Sequence, residues 1–156
     1  MTRIMFVCLG NICRSPMAEF LMKALVKEQH IAENFFIASA AISSEELGNP
    51  VYPPVQKLLN SRGISCRGKT AVQLKYADYD KYDMFIGMDN GNLRDMKRLF
   101  GGDPKNKVSL LLDYTDHPGS VADPWYTRDF HKAETDIEDG CKALLEHIRK
   151  AKGESV

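Results

Sequence analysis

A cysteine and an arginine in a C-x5-R arrangement bracket the segment Cys8-Leu9-Gly10-Asn11-Ile12-Cys13-Arg14-Ser15. A tight turn of this kind between a strand and a helix aims successive backbone N–H groups into one concavity, where the positive end of the helix dipole adds to them. Such a nest suits a tetrahedral dianion. Arg14 supplies a planar fork that can grip two oxygens of that anion at once. Cys8, at the bottom of the nest, would feel the same positive potential, which favours the thiolate that acts as a nucleophile. The Ser15 hydroxyl can donate to that sulfur or help to cap the helix. A thiolate attacking phosphorus also needs a general acid for the leaving group. Asp113, Asp116 and Asp123 all lie in one downstream loop and could serve. Asp123 is distinguished by the proline that fixes the backbone after it and by the aromatic pair Trp125-Tyr126 that follows. C-x5-R is also compatible with a buried strand-end thiol and an ordinary surface charge. The apolar strand before it, the Ser15-Pro16 helix start after it and the Gly10-Asn11 pair inside it favour chemistry.

The elements that must position these residues follow from the pattern of apolar positions. Arg3 to Cys8 is a nearly continuous apolar run, as expected of a strand buried on both faces. Gly10 and Asn11 tolerate unusual backbone angles. Ser15-Pro16 reads as an N-cap followed by proline at the first helical position. Behind it Met17, Phe20, Leu21, Ala24 and Leu25 recur at helical spacing to about Gln29. Asn34 to Ala40 reads as a second strand, 43–54 as a polar, proline-rich loop, and Pro54 to Ser61 as a helix stopped by Arg62-Gly63, with Gly63 as the left-handed cap. Asp83 to Met88 is a third strand, feeding a helix capped by Asp89 or Asn90 with Leu93, Met96 and Phe100 inward. Val108 to Leu112 is a fourth strand, Asp113 to Arg128 a long loop, and Phe130 to Lys150 a helix with Ile137, Cys141, Leu144 and Ile148 along one stripe. Alternating strands and helices predict an α/β fold: one three-layer domain over 1–156, with a four-stranded parallel sheet between helices. Ligands of such sheets bind beyond the carboxyl ends of the strands, where the Cys8 loop lies and the 113–128 loop should reach.

Composition narrows the possible partners. The 21 basic and 21 acidic side chains cancel, so no global field draws the chain to nucleic acid or to a membrane surface. The apolar run Ile4 to Leu9 is too short for a signal peptide or a span. Cys8, Cys13, Cys66 and Cys141 are too irregularly spaced for a disulfide framework, so a reducing, cytoplasmic setting is expected. His30, His117, His131 and His147 show no ligand spacing. There is no dinucleotide glycine pattern and no Walker A sequence, and no cofactor or metal is expected.

The stretch Val7 to Pro16, V-C-L-G-N-I-C-R-S-P, resembles the phosphate-binding loop of the low-molecular-weight protein-tyrosine phosphatases. Ser39-Ala40-Ala41, Gly48-Asn49-Pro50, Gly63-Ile64, Tyr82-Asp83 to Met88-Asp89 with Asn92-Leu93, and Asp123-Pro124-Trp125-Tyr126 follow in that family's order. The resemblance implies a four-stranded parallel sheet flanked by helices and hydrolysis of phosphotyrosine through a phosphocysteine on Cys8. Under it Arg14 binds the phosphoryl group, and Asn11 and Ser15 shape the loop and stabilise the thiolate. Asp123 protonates the leaving oxygen and then activates water. Leu9, Gly10, Ile12 and Cys13 complete the substrate-binding loop, and Trp125 and Tyr126 wall the cleft. The implied partners are phosphotyrosine proteins or small aryl phosphates, with inorganic phosphate as product and inhibitor. In that family a pair such as Cys8 and Cys13 can form a reversible, protective disulfide.

The chain also departs from the pattern. Glu45 falls where several members carry an aromatic cleft wall, and Tyr52 and Pro54 stand where the family usually shows Asp and Arg. A family histidine that buttresses the asparagine network has no clear counterpart in 66–73. Relatives acting on phosphoarginine tend to carry Thr where this chain has Ile12, whose bulk favours a flat aromatic ester. Phosphoserine is too short to reach the base of a deep cleft. An arsenate reductase would need resolving cysteines, and none lies between Gly87 and Gly140. A phosphocarrier domain should lack both Arg14 and Asp123.

Overall fold

The apolar run after Met1 forms strand β1 (Thr2–Cys8), and its neighbours explain why it is apolar throughout. Ile4, Phe6 and Cys8 point into one core cluster, while Met5 and Val7 point into another on the opposite face. The computed structural model describes residues 1–153. Strands β2 (Phe35–Ala41), β3 (Met84–Gly87) and β4 (Val108–Leu110) complete a parallel sheet in the order β2-β1-β3-β4. Val7 pairs with Ala40 on one side and with Gly87 on the other, which puts the Cys8 loop at the centre of the carboxyl edge.

Helices α1 (Arg14–Glu28), α2 (Pro53–Ser61) and the long carboxyl-terminal α5 (Phe130–Ala151) contribute to the larger cluster, with Met17, Met22, Val55, Leu59, Ile137 and Leu144 at its centre. Helix α3 (Asn90–Leu99) covers the other face, where Met96 and Phe100 pack on Phe85 and Tyr79. Gly140 lets α5 approach closely: a Cβ there would press on Leu111, with the two methyl carbons at 2.9 and 3.0 Å.

The expected element order is observed, with local differences. The fourth strand stops at Leu110 because Leu111–Tyr114 coils into a 3-10 turn. The long loop contains a short helix, α4 (Pro124–Thr127), begun by the Asp-Pro pair. Two further 3-10 turns, Ala32–Asn34 and Tyr76–Asp80, fall outside the sequence expectation. Helix α1 begins one residue before Ser15, with Cys13 in the N-cap position and no side-chain cap, so Ser15 is not the cap. Gly63 does take a left-handed conformation after α2, at φ 74°.

Candidate active site

The loop leaving β1 is shaped by Asn11 rather than by Gly10. Asn11 adopts φ 57°, in the left-handed region that asparagine tolerates. Its side chain then fixes three neighbours. Oδ1 accepts from the Val72 backbone N–H at 3.1 Å, which orients the amide and leaves Nδ2 to donate to Ser15 Oγ at 2.8 Å and Ser39 Oγ at 2.9 Å. With one lone pair of Ser15 occupied in this way, its hydroxyl proton is free to point at Cys8 Sγ, 3.0 Å away. The Ser15 backbone N–H also donates to that sulfur at 3.4 Å. The Cys8 sulfur thus lies within reach of both the Ser15 hydroxyl and the Ser15 N–H at the start of α1. Ser15 lies inside the first turn of α1, so its hydroxyl is not spent on a cap.

Ser39 passes the chain of bonds on to Glu19, donating to Oε1 at 2.6 Å. Glu19 is buried, and its charge is met by Lys23 Nζ at 2.6 Å and Lys69 Nζ at 3.8 Å. Lys69 also donates to the Ser39 carbonyl at 3.0 Å. Burial holds the Lys69 ammonium below its ordinary value, against the pull of Glu19. Lys69 and Glu19 thus extend the network that runs from Asn11 through Ser39.

Arg14 is 3% exposed and is aimed by contacts from across the sheet. Nη1 donates to Asp89 Oδ2 at 2.7 Å and to the Val121 carbonyl at 2.9 Å, while Nη2 meets Asp123 Oδ2 at 3.3 Å. Burial opposes its charge, but the Cys8 sulfur, Asp89 and Asp123 together push its pKa further above the ordinary value. Asp89 also caps α3 by accepting from the Asn92 N–H at 2.8 Å. Asp123 caps α4: its Oδ1 accepts from the Trp125 N–H at 3.0 Å, leaving Oδ2 toward Arg14.

These groups surround a cleft of about 140 Å³ lined by Cys8, Leu9, Gly10, Ile12, Cys13, Arg14, Ser43, Glu45, Glu46, Asp123, Trp125 and Tyr126. Every residue expected at the site is in the lining except Asn11 and Ser15, which are buried behind it. Trp125 both lines the cleft and pins the loop, its ring 4.8 Å from that of Tyr52. Tyr126 is 76% exposed at the rim. Glu45 lines the opposite side, with Glu46 beside it.

Of the four free thiols, burial pushes Cys13 up to about 12, with Cys8 and Asp123 adding to the effect and Arg14 and Arg128 opposing it. Cys141, in the core of α5, is raised by burial as well, as is Cys66. His117 lies 2.9 Å from Asp116 and within 3.9 Å of Asp136 and Asp139, outside the cleft lining.

Sequence reasoning missed Glu19, Lys69 and the guanidinium contact of Asp89. Glu19 sits among the apolar residues of α1, and a charge on the buried stripe of a helix is the one available signal. Asp89 is visible only as a helix cap, because its second partner lies 75 positions away in the chain.

The chain as a whole has close relatives. The family model described as "Low molecular weight phosphotyrosine protein phosphatase" matches residues 3–154. The chain is 36% identical over 154 residues to the low molecular weight protein-tyrosine-phosphatase YfkJ of Bacillus subtilis, covering 97% of this chain and 99% of the relative. The YfkJ crystal structure matches with a TM-score of 0.93 at 37% identity, over 97% of each chain. The human low molecular weight phosphotyrosine protein phosphatase is 37% identical over 148 residues, covering 92% of this chain and 93% of its own length. A protein tyrosine phosphatase from Entamoeba histolytica, solved with Hepes in its active site, matches with a TM-score of 0.90 at 29% identity, over 97% of this chain and 99% of its own.

Proposed function

The chain belongs to the low-molecular-weight phosphotyrosine protein phosphatase family, and from that premise we propose that it hydrolyses phosphotyrosine in two steps through a phosphocysteine on Cys8. In the first step the Cys8 thiolate attacks phosphorus. The S–P bond forms as the P–O bond to the ring breaks, and the Asp123 carboxyl gives its proton to the departing phenolate oxygen. In the second step Asp123, now a carboxylate, takes a proton from water as the water oxygen attacks phosphorus. The S–P bond breaks, releasing inorganic phosphate, and the Cys8 thiolate and the Asp123 acid are restored. Arg14 and the loop N–H groups hold the equatorial oxygens, whose charge they stabilise most in the transition state. Ser15 donates to the sulfur whenever it carries charge, which eases its departure in the second step.

The observation that carries this reading is the pair of donors on Cys8 Sγ beneath a cleft whose other walls hold Arg14 and Asp123. The aromatic pair Trp125-Tyr126 suits a flat aryl ester, which reaches the base of the cleft more readily than a short phosphoserine. Phosphotyrosine proteins or small aryl phosphates are the substrates this reading assigns, and inorganic phosphate is both product and competing ligand of the same nest. Four free thiols suit a reducing compartment, for which we assign the cytoplasm, and no helix among the described residues is long and apolar enough to cross a membrane.

The test compares turnover of phosphotyrosine, phosphoserine and phosphoarginine peptides by the wild type and Cys8→Ser. Turnover of phosphotyrosine alone, abolished by Cys8→Ser, is expected. Equal rates on phosphotyrosine and phosphoarginine would remove the tyrosine-specific part, and an active Cys8→Ser enzyme would remove the mechanism.

A further inference from the structure

Tyr52 touches both halves of the site. Its backbone N–H donates to the Ile12 carbonyl at 2.8 Å, inside the phosphate-binding loop. It is the N-cap of α2, and Pro53 and Pro54 follow it, so its main chain has little freedom. Its side chain points the other way, to the segment that carries Asp123. The ring packs at 4.8 Å on Trp125 and at 6.0 Å on Phe130, and the hydroxyl accepts from Arg128 Nη1 at 3.0 Å. Arg128 closes α4 in a left-handed conformation, at φ 61°. One side chain therefore grips α4 near its start, through Trp125, and at its end, through Arg128.

The Trp125 N–H in turn donates to Asp123 Oδ1 at 3.0 Å, which sets the direction of the other carboxyl oxygen. The acid-bearing turn is exposed: Trp125 is 43% and Tyr126 76% accessible. So short a helix has little stability of its own and depends on such tertiary contacts for its position.

We propose that Tyr52 is a positioning residue for proton transfer, a strut that holds the Asp123 turn at a fixed height over the Cys8 loop. It touches neither the reacting phosphorus nor the leaving oxygen. It acts through Trp125 and Arg128, and its effect is confined to the step in which Asp123 gives its proton to the ester oxygen and the reverse transfer from water. The proposal rests on the assignment of Asp123 as the acid.

An acid misplaced by about 1 Å can cost up to about 100-fold, and only where the leaving group needs a proton. The test is a series of aryl phosphates whose phenols differ in acidity, from phenyl phosphate to 2,4-dinitrophenyl phosphate, read as kcat/KM. Tyr52→Ala is expected to lose about 10- to 100-fold on phenyl phosphate and under about threefold on the dinitrophenyl ester. Tyr52→Phe, which keeps the ring and loses only the hydrogen bond, and Arg128→Ala, which also removes the guanidinium from over the Tyr52 and Phe130 rings, are expected to fall in between with the same grading. They carry the test if Tyr52→Ala does not fold. An equal loss across the series, or no loss, would overturn the strut, because a merely disturbed phosphate loop slows every ester alike. Asp123→Asn separates this failure from failure of the underlying assignment. If Asp123→Asn is graded and the Tyr52 and Arg128 variants are not, the strut alone is wrong; if Asp123→Asn is flat, the acid assignment fails and the strut with it.

Discussion

Arg14 Nη1 and Asp89 Oδ2 lie 2.7 Å apart across the carboxyl edge of the sheet, so the carboxylate that caps α3 also aims the guanidinium over the Cys8 loop. The fork is held at one nitrogen by Asp89 and Val121, and its plane is therefore fixed before any anion arrives. Pre-orientation of this kind spares the reorganisation that a flexible cation would need during the reaction.

Replacing the fork should therefore cost far more than loosening it. Arg14→Lys keeps the charge but cannot span two oxygens, and kcat/KM should fall by about 1,000-fold. Asp89→Asn keeps an acceptor beside Nη1 and should cost about tenfold. Steady-state kinetics on one aryl phosphate checks both, and equal losses would show that Asp89 does more than aim the arginine.

Asn11 combines a backbone conformation with three hydrogen bonds, and the two can be separated. Asn11→Gly keeps the left-handed angle and loses the bonds, whereas Asn11→Ala loses both. Thermal or denaturant unfolding should rank the stabilities as wild type, Gly, Ala, with about 1–3 kcal/mol lost in the glycine variant. In both, the Ser15 hydroxyl is no longer directed at the sulfur, so activity should drop together.

Thiol reactivity should divide the four cysteines sharply. The Cys8 sulfur faces the cleft beside the Ser15 hydroxyl and N–H, while burial holds Cys13 at about 12, so Cys13 stays a protonated thiol at neutral pH. Iodoacetate near pH 7 followed by peptide mass spectrometry should find Cys8 modified, protected by inorganic phosphate, and Cys13, Cys66 and Cys141 intact. Modification of Cys13 at a comparable rate would contradict the burial argument.

The carboxylate of Asp103 should make stability depend on pH. Burial alone would raise its pKa, but donors outweigh it: Tyr79 Oη at 2.6 Å, the Lys107 N–H at 2.8 Å and the Val108 N–H at 3.0 Å hold it below the ordinary 3.8. A group depressed by folding stabilises above its unfolded value, and that stabilisation is lost as pH falls through the folded value. Asp103→Ala should therefore cost about 1–3 kcal/mol near neutrality, with the gap to wild type narrowing below about pH 4. Denaturant titrations at several pH values measure this directly.

Gly140 provides a test of packing alone. Gly140→Ala drives a methyl group into Leu111 and should destabilise by about 1–3 kcal/mol without touching the site. A second change, Leu111→Val, should recover part of that loss if the clash is the cause, as a double-mutant cycle would reveal.

Much of this site is legible along the chain because its key pieces are local. Cys8, Arg14 and Ser15 share one loop, and the apolar strand before it locates the carboxyl edge. Asp123 is harder: three aspartates share its segment, and only the proline and the aromatic pair that follow set it apart. Ser15 shows how local logic fails, since Ser-Pro is a sound helix start, yet the hydroxyl serves the sulfur because Asn11 occupies its other side. Asp89, Lys69 and Tyr52 lie further from view. Each meets its partners from a segment remote in the chain, and the side chain alone does not declare them. The fourth strand is overcalled at its end because Leu111 and Leu112 are as apolar in a 3-10 turn as in a strand.

The contacts of Arg14 with Val121 and Asp123 span 107 and 109 positions of the chain. During synthesis the Cys8 loop leaves the ribosome long before the segment that brings Val121 and Asp123 to its arginine. Under the mechanism proposed here, an activity assay on refolding protein would time the arrival of the 113–128 segment at the Cys8 loop rather than the collapse of the sheet.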